Sequence, residues 1–264
     1  MAKALTSPKS AGYEGDADGI QVLNIAHRGA SVQAPENTLP AFSRALELGV
    51  DMIELDVHMS RDGELVVIHD ATLGRTTDGR GRVGKKSLRE LKALDAGFWF
   101  SSSFAGTRIP TLEEAIELVK GKAQLNIEVK AGPDTYPGLE ERLVELLKRH
   151  SFVDQALVTS FDRQALLRVK ELELRTRIGV LLARRVRDLV TVAQGARANA
   201  VCLEHSLLTK ADVESCHKER LGLYLWTVND IHEMRRLIDL GVEGIVTDRP
   251  DLLQGLLASH PVRP

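Results

Sequence analysis

The chain has 264 residues, of which 43% are hydrophobic and 27% charged, with a formal net charge of −2. A chain of this length buries one sizeable core, and its balanced charge excludes a global basic field for nucleic acid or an anionic membrane. No stretch approaches the roughly eighteen apolar residues of a membrane span, so no stable membrane association is expected.

Residues 1–19 are polar and lack the apolar segment of a signal peptide. They read as a disordered leader, with residues 20–264 forming a single domain of a cytoplasmic protein. Short β-branched runs then alternate with segments of helical period. Val22–Ala26 reads as a strand and Thr38–Leu48 as a helix stopped by Gly49. Met52–Val57 is the second strand, and Glu64–Ile68 folds back on it after the Asp62-Gly63 turn. From Asp70 to Pro110 the pattern breaks, as in an insertion over the mouth of the fold. The insertion holds an aromatic knot at Phe98, Trp99, Phe100 and Phe104, expected to pack it onto the body. Alternation resumes at Thr111–Val119, whose Thr111 and Glu114 have capping-box spacing. Strands follow at Leu125–Val129, Ala156–Thr159, Arg177–Leu181, Ala200–Leu203, Leu223–Thr227 and Gly244–Thr247. Helices between them are Leu139–Lys148, Asp162–Leu172, Arg187–Ala193, Thr209–Lys218 and Asp230–Leu240, the last stopped by Gly241. Eight apolar strands alternating with helices predict a closed (β/α)8 TIM barrel with a small insertion after the second barrel strand. A doubly wound open sheet is the alternative. Cys202 and Cys216 have no CxxC spacing and read as reduced structural thiols.

Barrel enzymes carry their chemistry at the C-terminal ends of the strands. Those ends here hold His27, Arg28, Glu54, Asp56, His69, Asp70, Glu128, Lys130, Glu204 and Trp226. Glu54 and Asp56 are two apart on a strand and share a face, as do Glu128 and Lys130. Three carboxylates converging on one spot repel unless a cation lies between them. An all-oxygen set suits Mg²⁺ or Ca²⁺ better than Zn²⁺. His27 and His69 can give and take a proton near neutral pH. The remaining histidines, His58, His150, His205, His217, His232 and His260, read as surface or packing residues. Within His27-Arg28-Gly29, Arg28 offers a fork for phosphate and Gly29 lets the backbone approach a ligand.

An ordered set of motifs carries a specific resemblance: Ala26-His27-Arg28-Gly29, Pro35-Glu36-Asn37-Thr38, Glu54-Leu55-Asp56-Val57, His69-Asp70 and Arg75-Thr76-Thr77. It continues through Ile109-Pro110-Thr111-Leu112, Asn126-Ile127-Glu128-Val129-Lys130, Ser160-Phe161, Trp226-Thr227-Val228-Asn229 and Gly244 to Pro250. The sequence resembles the glycerophosphodiester phosphodiesterase family over nearly all of the chain after residue 20. The resemblance implies a barrel, metal ligands at Glu54, Asp56 and Glu128, and an acid–base pair at His27 and His69. It implies phosphate contacts from Arg28 and Lys130, with Glu36, Asn37 and Trp226 lining the site; it gives Glu204 no role. The implied reaction releases glycerol 3-phosphate and an alcohol from a small glycerophosphodiester; the sequence leaves open which histidine is acid and which is base, and we assign His27 as acid and His69 as base. Rival readings keep the site but take lysophospholipids, using the aromatic knot as an acyl platform. Others make the barrel a non-catalytic metal or phosphate binder, or an aldolase-like enzyme with Lys130 as a Schiff-base lysine. Composition leaves the oligomeric state, monomer or homo-oligomer, open.

Overall fold

The computed structural model describes residues 22–130 and 136–259. The expected leader and His260 lie outside the described residues. In chain order the main elements are β1 (Leu23–His27), α1 (Leu39–Glu47), β2 (Met52–Met59), β3 (Leu65–Val67), α2 (Leu88–Lys92), α3 (Leu112–Val119), β4 (Gln124–Val129), α4 (Leu139–Arg149), β5 (Ala156–Ser160) and α5 (Arg163–Leu172). They continue with β6 (Arg177–Leu182), α6 (Leu189–Gly195), β7 (Ala200–Glu204), α7 (Lys210–Lys218), β8 (Gly222–Trp226), α8 (Ile231–Leu240), β9 (Gly244–Thr247) and α9 (Pro250–Ser259).

β1 pairs in parallel with both β2 and β9, which closes the sheet and removes the open-sheet alternative. The protein is therefore a (β/α)8 barrel of eight parallel strands, with β3 added antiparallel on the end of β2. Alternation along β2 shows how the sequence builds the wall. Ile53, Leu55 and Val57 face outward into a core shared with the helices. Met52 faces inward, where it meets Ile25, Leu157, Leu181, Cys202, Tyr224 and Val246 in the barrel floor. Glu54 and Asp56 are the next inward positions and stand above that floor.

The helix boundaries follow their caps. Thr111 and Glu114 form the expected capping box on α3, worth about 1 kcal/mol. Gly49 and Gly241 take left-handed φ values of 73° and 78° where α1 and α8 stop. α9 escapes the sequence reading because Pro250 looks like a terminator. Proline is equally at home in the first helical position, where its missing N–H has no intrahelical partner to lose.

The insertion between β3 and α3 has a small core of its own, built on Val66, Ile68, Leu73, Val83, Leu91, Ala96 and Ile109. One expectation fails here. The aromatic knot does not pack the insertion onto the barrel: Phe98 is 64% and Trp99 41% exposed. Aliphatic side chains already fill the core, and the Trp99 indole donates to the carbonyl of Ala96 within the insertion itself. None of residues 71–110 lines the main cavity, but Arg75 of the insertion reaches Asp70 and Glu36 beside it.

Candidate active site

Strands β2 and β4 place three carboxylates together. Oxygens of Glu54, Asp56 and Glu128 all lie within 4.8 Å of one another. Two cations share the space. Lys130 Nζ lies 2.8 Å from Asp56 and 2.7 Å from Glu128. Arg28 Nε lies 3.3 Å from Asp56, and the Arg28 backbone N–H donates to Glu54 at 3.0 Å. Burial pushes the Glu54 carboxyl well above the usual range, and repulsion from Asp56 and Glu128 adds to it. Burial likewise raises Glu128, to about 7, although Lys130 opposes it. For Asp56 burial is outweighed by Lys130 and Arg28, which hold its carboxyl below the ordinary value. Two carboxyls that resist ionising beside a third that is ionised form a set that a divalent cation would complete. A second group that could hold a metal, Glu113, Glu117 and His150, lies away from this site on α3 and at the end of α4. Arg149 and His150 already pair with Glu113 there.

The two histidines are braced alike. His27 Nδ1 lies 2.6 Å from Asp248, which also accepts from Ser31 and Asn229. His69 Nδ1 lies 2.6 Å from Asp70. Burial pushes the Asp248 carboxyl up, but the contacts from His27, Asn229 and Ser31 together hold it at about 2. Burial lowers the pKa of His69 against the pull of Asp56, with Lys130 and Arg28 helping to lower it. Both histidines line a cavity of about 230 Å³ with Arg28, Glu54, Glu128 and Lys130. Its other wall is Leu181, Cys202, Val246, Phe161 and Trp226, the last two ring to edge at 6.0 Å.

A family match sets this geometry among known proteins. The glycerophosphoryl diester phosphodiesterase family matches residues 27–252. The chain belongs to that family. It is an enzyme, a phosphoric diester hydrolase. A glycerophosphodiester phosphodiesterase of Caldanaerobacter subterraneus subsp. tengcongensis is 43% identical, covering 90% of this chain and 98% of that relative. One from Bacillus subtilis is 35% identical, covering 94% and 91%. A solved phosphodiesterase of Oleispira antarctica, in complex with the product sn-glycerol-3-phosphate, superposes with a TM-score of 0.83 at 33% identity, covering 92% and 98%.

Several residues lie elsewhere than the sequence suggests. Glu36 and Asn37 do not line the main cavity of this family member. Glu36 pairs with Arg28 at 2.9 Å, and Asn37 donates to Asp56 at 2.7 Å. Gly29, with φ 85°, packs closely on α1: a Cβ there would lie 2.7 Å from the Ala41 backbone. That close approach turns the chain so that Arg28 takes φ 56°, a strained value held by its backbone bond to Glu54. Glu204 bonds Ser206 and is absent from the cavity wall. Of the two readings given to His58, surface or packing, the structure shows the packing one. It is buried in β2, and its ring reaches the His69 carbonyl at 3.0 Å and the Tyr136 hydroxyl at 2.9 Å. The sequence reading gives Asp248 no role. It follows the last residue of β9, so the strand-end rule that finds His27 and Lys130 also applies to it.

Proposed function

We propose that the chain hydrolyses glycerophosphodiesters to glycerol 3-phosphate and an alcohol, with His27 and His69 as the acid–base pair. A divalent ion, Mg²⁺ or Ca²⁺, would be held by Glu54, Asp56 and Glu128. The carrying observation is that both histidines are braced at Nδ1 by a carboxylate, each at 2.6 Å, and open on the cavity that holds the acidic cluster. Bracing at Nδ1 fixes the proton there and leaves Nε2 for proton exchange. His69, with its lowered pKa, rests neutral and suits the base. It takes the proton of the attacking hydroxyl, either the neighbouring glycerol hydroxyl or water. His27, facing the ionised Asp248, suits the acid and gives its proton to the leaving alkoxide. Arg28 and Lys130 receive the charge that grows on the phosphoryl oxygens. When bound, the ion supplies Lewis acidity at a non-bridging oxygen.

The preferred substrates would be water-soluble deacylated diesters. The exposed Phe98 and Trp99, the acyl platform that a lysophospholipid would need, are not among the cavity-lining residues. Among the described residues no helix is long and apolar enough to cross a membrane. We place the enzyme in the cytoplasm on the same reading. The test is turnover of glycerophosphocholine, glycerophosphoethanolamine and a lysophospholipid with product identification, before and after exhaustive chelation. Activity is expected to vanish on chelation, to return with Mg²⁺ or Ca²⁺, and to show higher kcat/KM on the soluble diesters. Full activity after chelation would remove the metal, and a higher kcat/KM on the lysophospholipid would overturn the substrate.

A further inference from the structure

Arg75 belongs to the insertion, yet its guanidinium joins two pairs of groups at the site. Nε donates to Asp70 at 2.7 Å and Nη2 to the same carboxylate at 3.2 Å. Nη1 and Nη2 donate to the two oxygens of Glu36, each at 2.8 Å. Asp70 is the carboxylate that braces His69, and Glu36 is the carboxylate that pairs with Arg28. One planar fork thus closes an unbroken chain of contacts from His69 through Asp70, Arg75 and Glu36 to Arg28 and on to Asp56.

The backbone under Arg75 is fixed. Leu73 is fully buried and its N–H donates to Gly81 at 3.0 Å. Thr76 and Thr77 are buried, and the Thr77 hydroxyl donates to the Leu73 carbonyl at 2.7 Å. Arg75 therefore leaves a pinned turn. Its side chain, 44% exposed, is ordered by two bidentate contacts rather than by burial. A lone exposed ion pair would contribute little. A guanidinium that grips two carboxylates at once fixes their relative position, which a lysine cannot do with one ammonium.

We infer that Arg75 is a positioning residue that holds the His69–Asp70 pair and the Arg28–Glu36 pair in one fixed relation. The inference rests on the proposed roles of His69 and Arg28. By it, the insertion carries a brace to the site from outside the barrel wall. Arg75 also holds the Asp70 carboxyl at about 2 and so tempers the charge that His69 meets. The other charged groups acting on His69 are Asp56, Lys130 and Arg28, and the His58 ring meets its carbonyl. Removing Arg75 takes away a positive charge and leaves Asp70 uncompensated, so His69 should titrate at higher pH.

The test compares the wild-type chain with Arg75→Met and Arg75→Lys on glycerophosphocholine with saturating divalent metal. In both variants kcat is expected to fall roughly ten- to a hundredfold, the scale of a small misplacement of reacting groups, and KM to rise. The limb of the pH profile belonging to His69 should move to higher pH in Arg75→Met. In an Asp70→Asn background the same change should lower kcat less, because part of its route is already gone. A residue that only staples the insertion would lower Tm and leave kcat, KM and the limb unchanged, and that result overturns the inference. Wild-type kcat in Arg75→Lys overturns it as well. Should Arg75→Met fail to fold, Asp70→Asn and Glu36→Gln separate the two arms. The first should lower kcat and the second raise KM, and wild-type values in both overturn the bridge. An NMR titration of the His69 ring reads the bridge without turnover. Inactivity of the wild-type chain on every diester would sink the hydrolytic reading alone, while an unmoved His69 titration in Arg75→Met would sink the bridge.

Discussion

The two halves of the barrel interior differ in kind. On β1, β2 and β4 the upper inward positions are His27, Glu54, Asp56, Asn126 and Glu128, all polar. On β6 to β9 the cavity wall is Leu181, Cys202, Trp226 and Val246, nearly all apolar. The seam between them at β5 is a hydrogen bond from Thr159 to Asn126 at 2.9 Å. The contrast separates chemistry from shape. The polar half carries the three clustered carboxylates, Lys130 and both histidines, with Asp248 reaching across from the end of β9 to brace His27, and the apolar half would pack against the substrate. Cys202 marks the division. Burial and then the charges of Glu128 and Glu54 push its thiol far above the usual range, which favours the protonated form.

If that contrast is right, the largest losses come from the polar half. Replacing His27 or His69 by alanine should lower kcat by roughly a hundred- to ten-thousandfold. A nitrophenyl ester, whose leaving group needs little help from an acid, should rescue His27→Ala and not His69→Ala. Rescue in the opposite sense swaps the roles; near-normal kcat in both variants returns the histidines to the structural side.

Glu54→Gln sharpens the comparison through stability. A carboxyl whose folded pKa is raised makes the folded state bind protons more tightly than the unfolded state. Its contribution is then lost as pH rises through the folded pKa. The metal-free wild type therefore carries a penalty at pH 8 that Glu54→Gln lacks. The variant should melt roughly 2–4 °C higher in chelator, while losing the rise in Tm that divalent metal gives the wild type. Equal melting in chelator at pH 8 would mean that Glu54 is not repelled there, and an undiminished metal response would remove it as a ligand.

The smallest effect belongs to the apolar half. Trp226→Phe keeps a ring against Phe161 and loses the indole bond to the Cys202 carbonyl. It should lower stability by about 1 kcal/mol and leave kcat close to wild type. A large loss of kcat in this variant would break the separation of the halves.

What can be read in the sequence follows the same division. The eight strands are legible because their outward residues are continuously apolar, and the carboxylates because an i, i+2 pair inside such a run has no reason to be there except to meet a cation. His58 escapes although it extends that very alternation, two residues beyond Asp56. A lone histidine is usually packing, and only the hairpin brings the His69 carbonyl to it. Glu36 and Asn37 are legible as neighbours of the site, but their targets lie across a turn whose left-handed Arg28, unlike the left-handed Asn37, no propensity would suggest. The insertion is visible only as a break in pattern. Its short helix α2 has a local capping box at Ser87 and Glu90, but the packing of Leu91 with Val66 and Ile109 and the reach of Arg75 to Glu36 join segments that local periodicity does not connect.

The closing seam of the barrel has a consequence for how the protein is made. His27 lies on the first strand and its brace, Asp248, follows the last, 221 positions away. The same seam is where β1 and β9 pair. During synthesis a ribosome delivers both histidines and all three carboxylates long before Asp248 leaves the exit tunnel. The nascent chain thus holds an unfinished cylinder whose His27 ring has no partner to orient it. Catalytic competence should arrive late and abruptly, at the moment the final strand docks and shuts the wall.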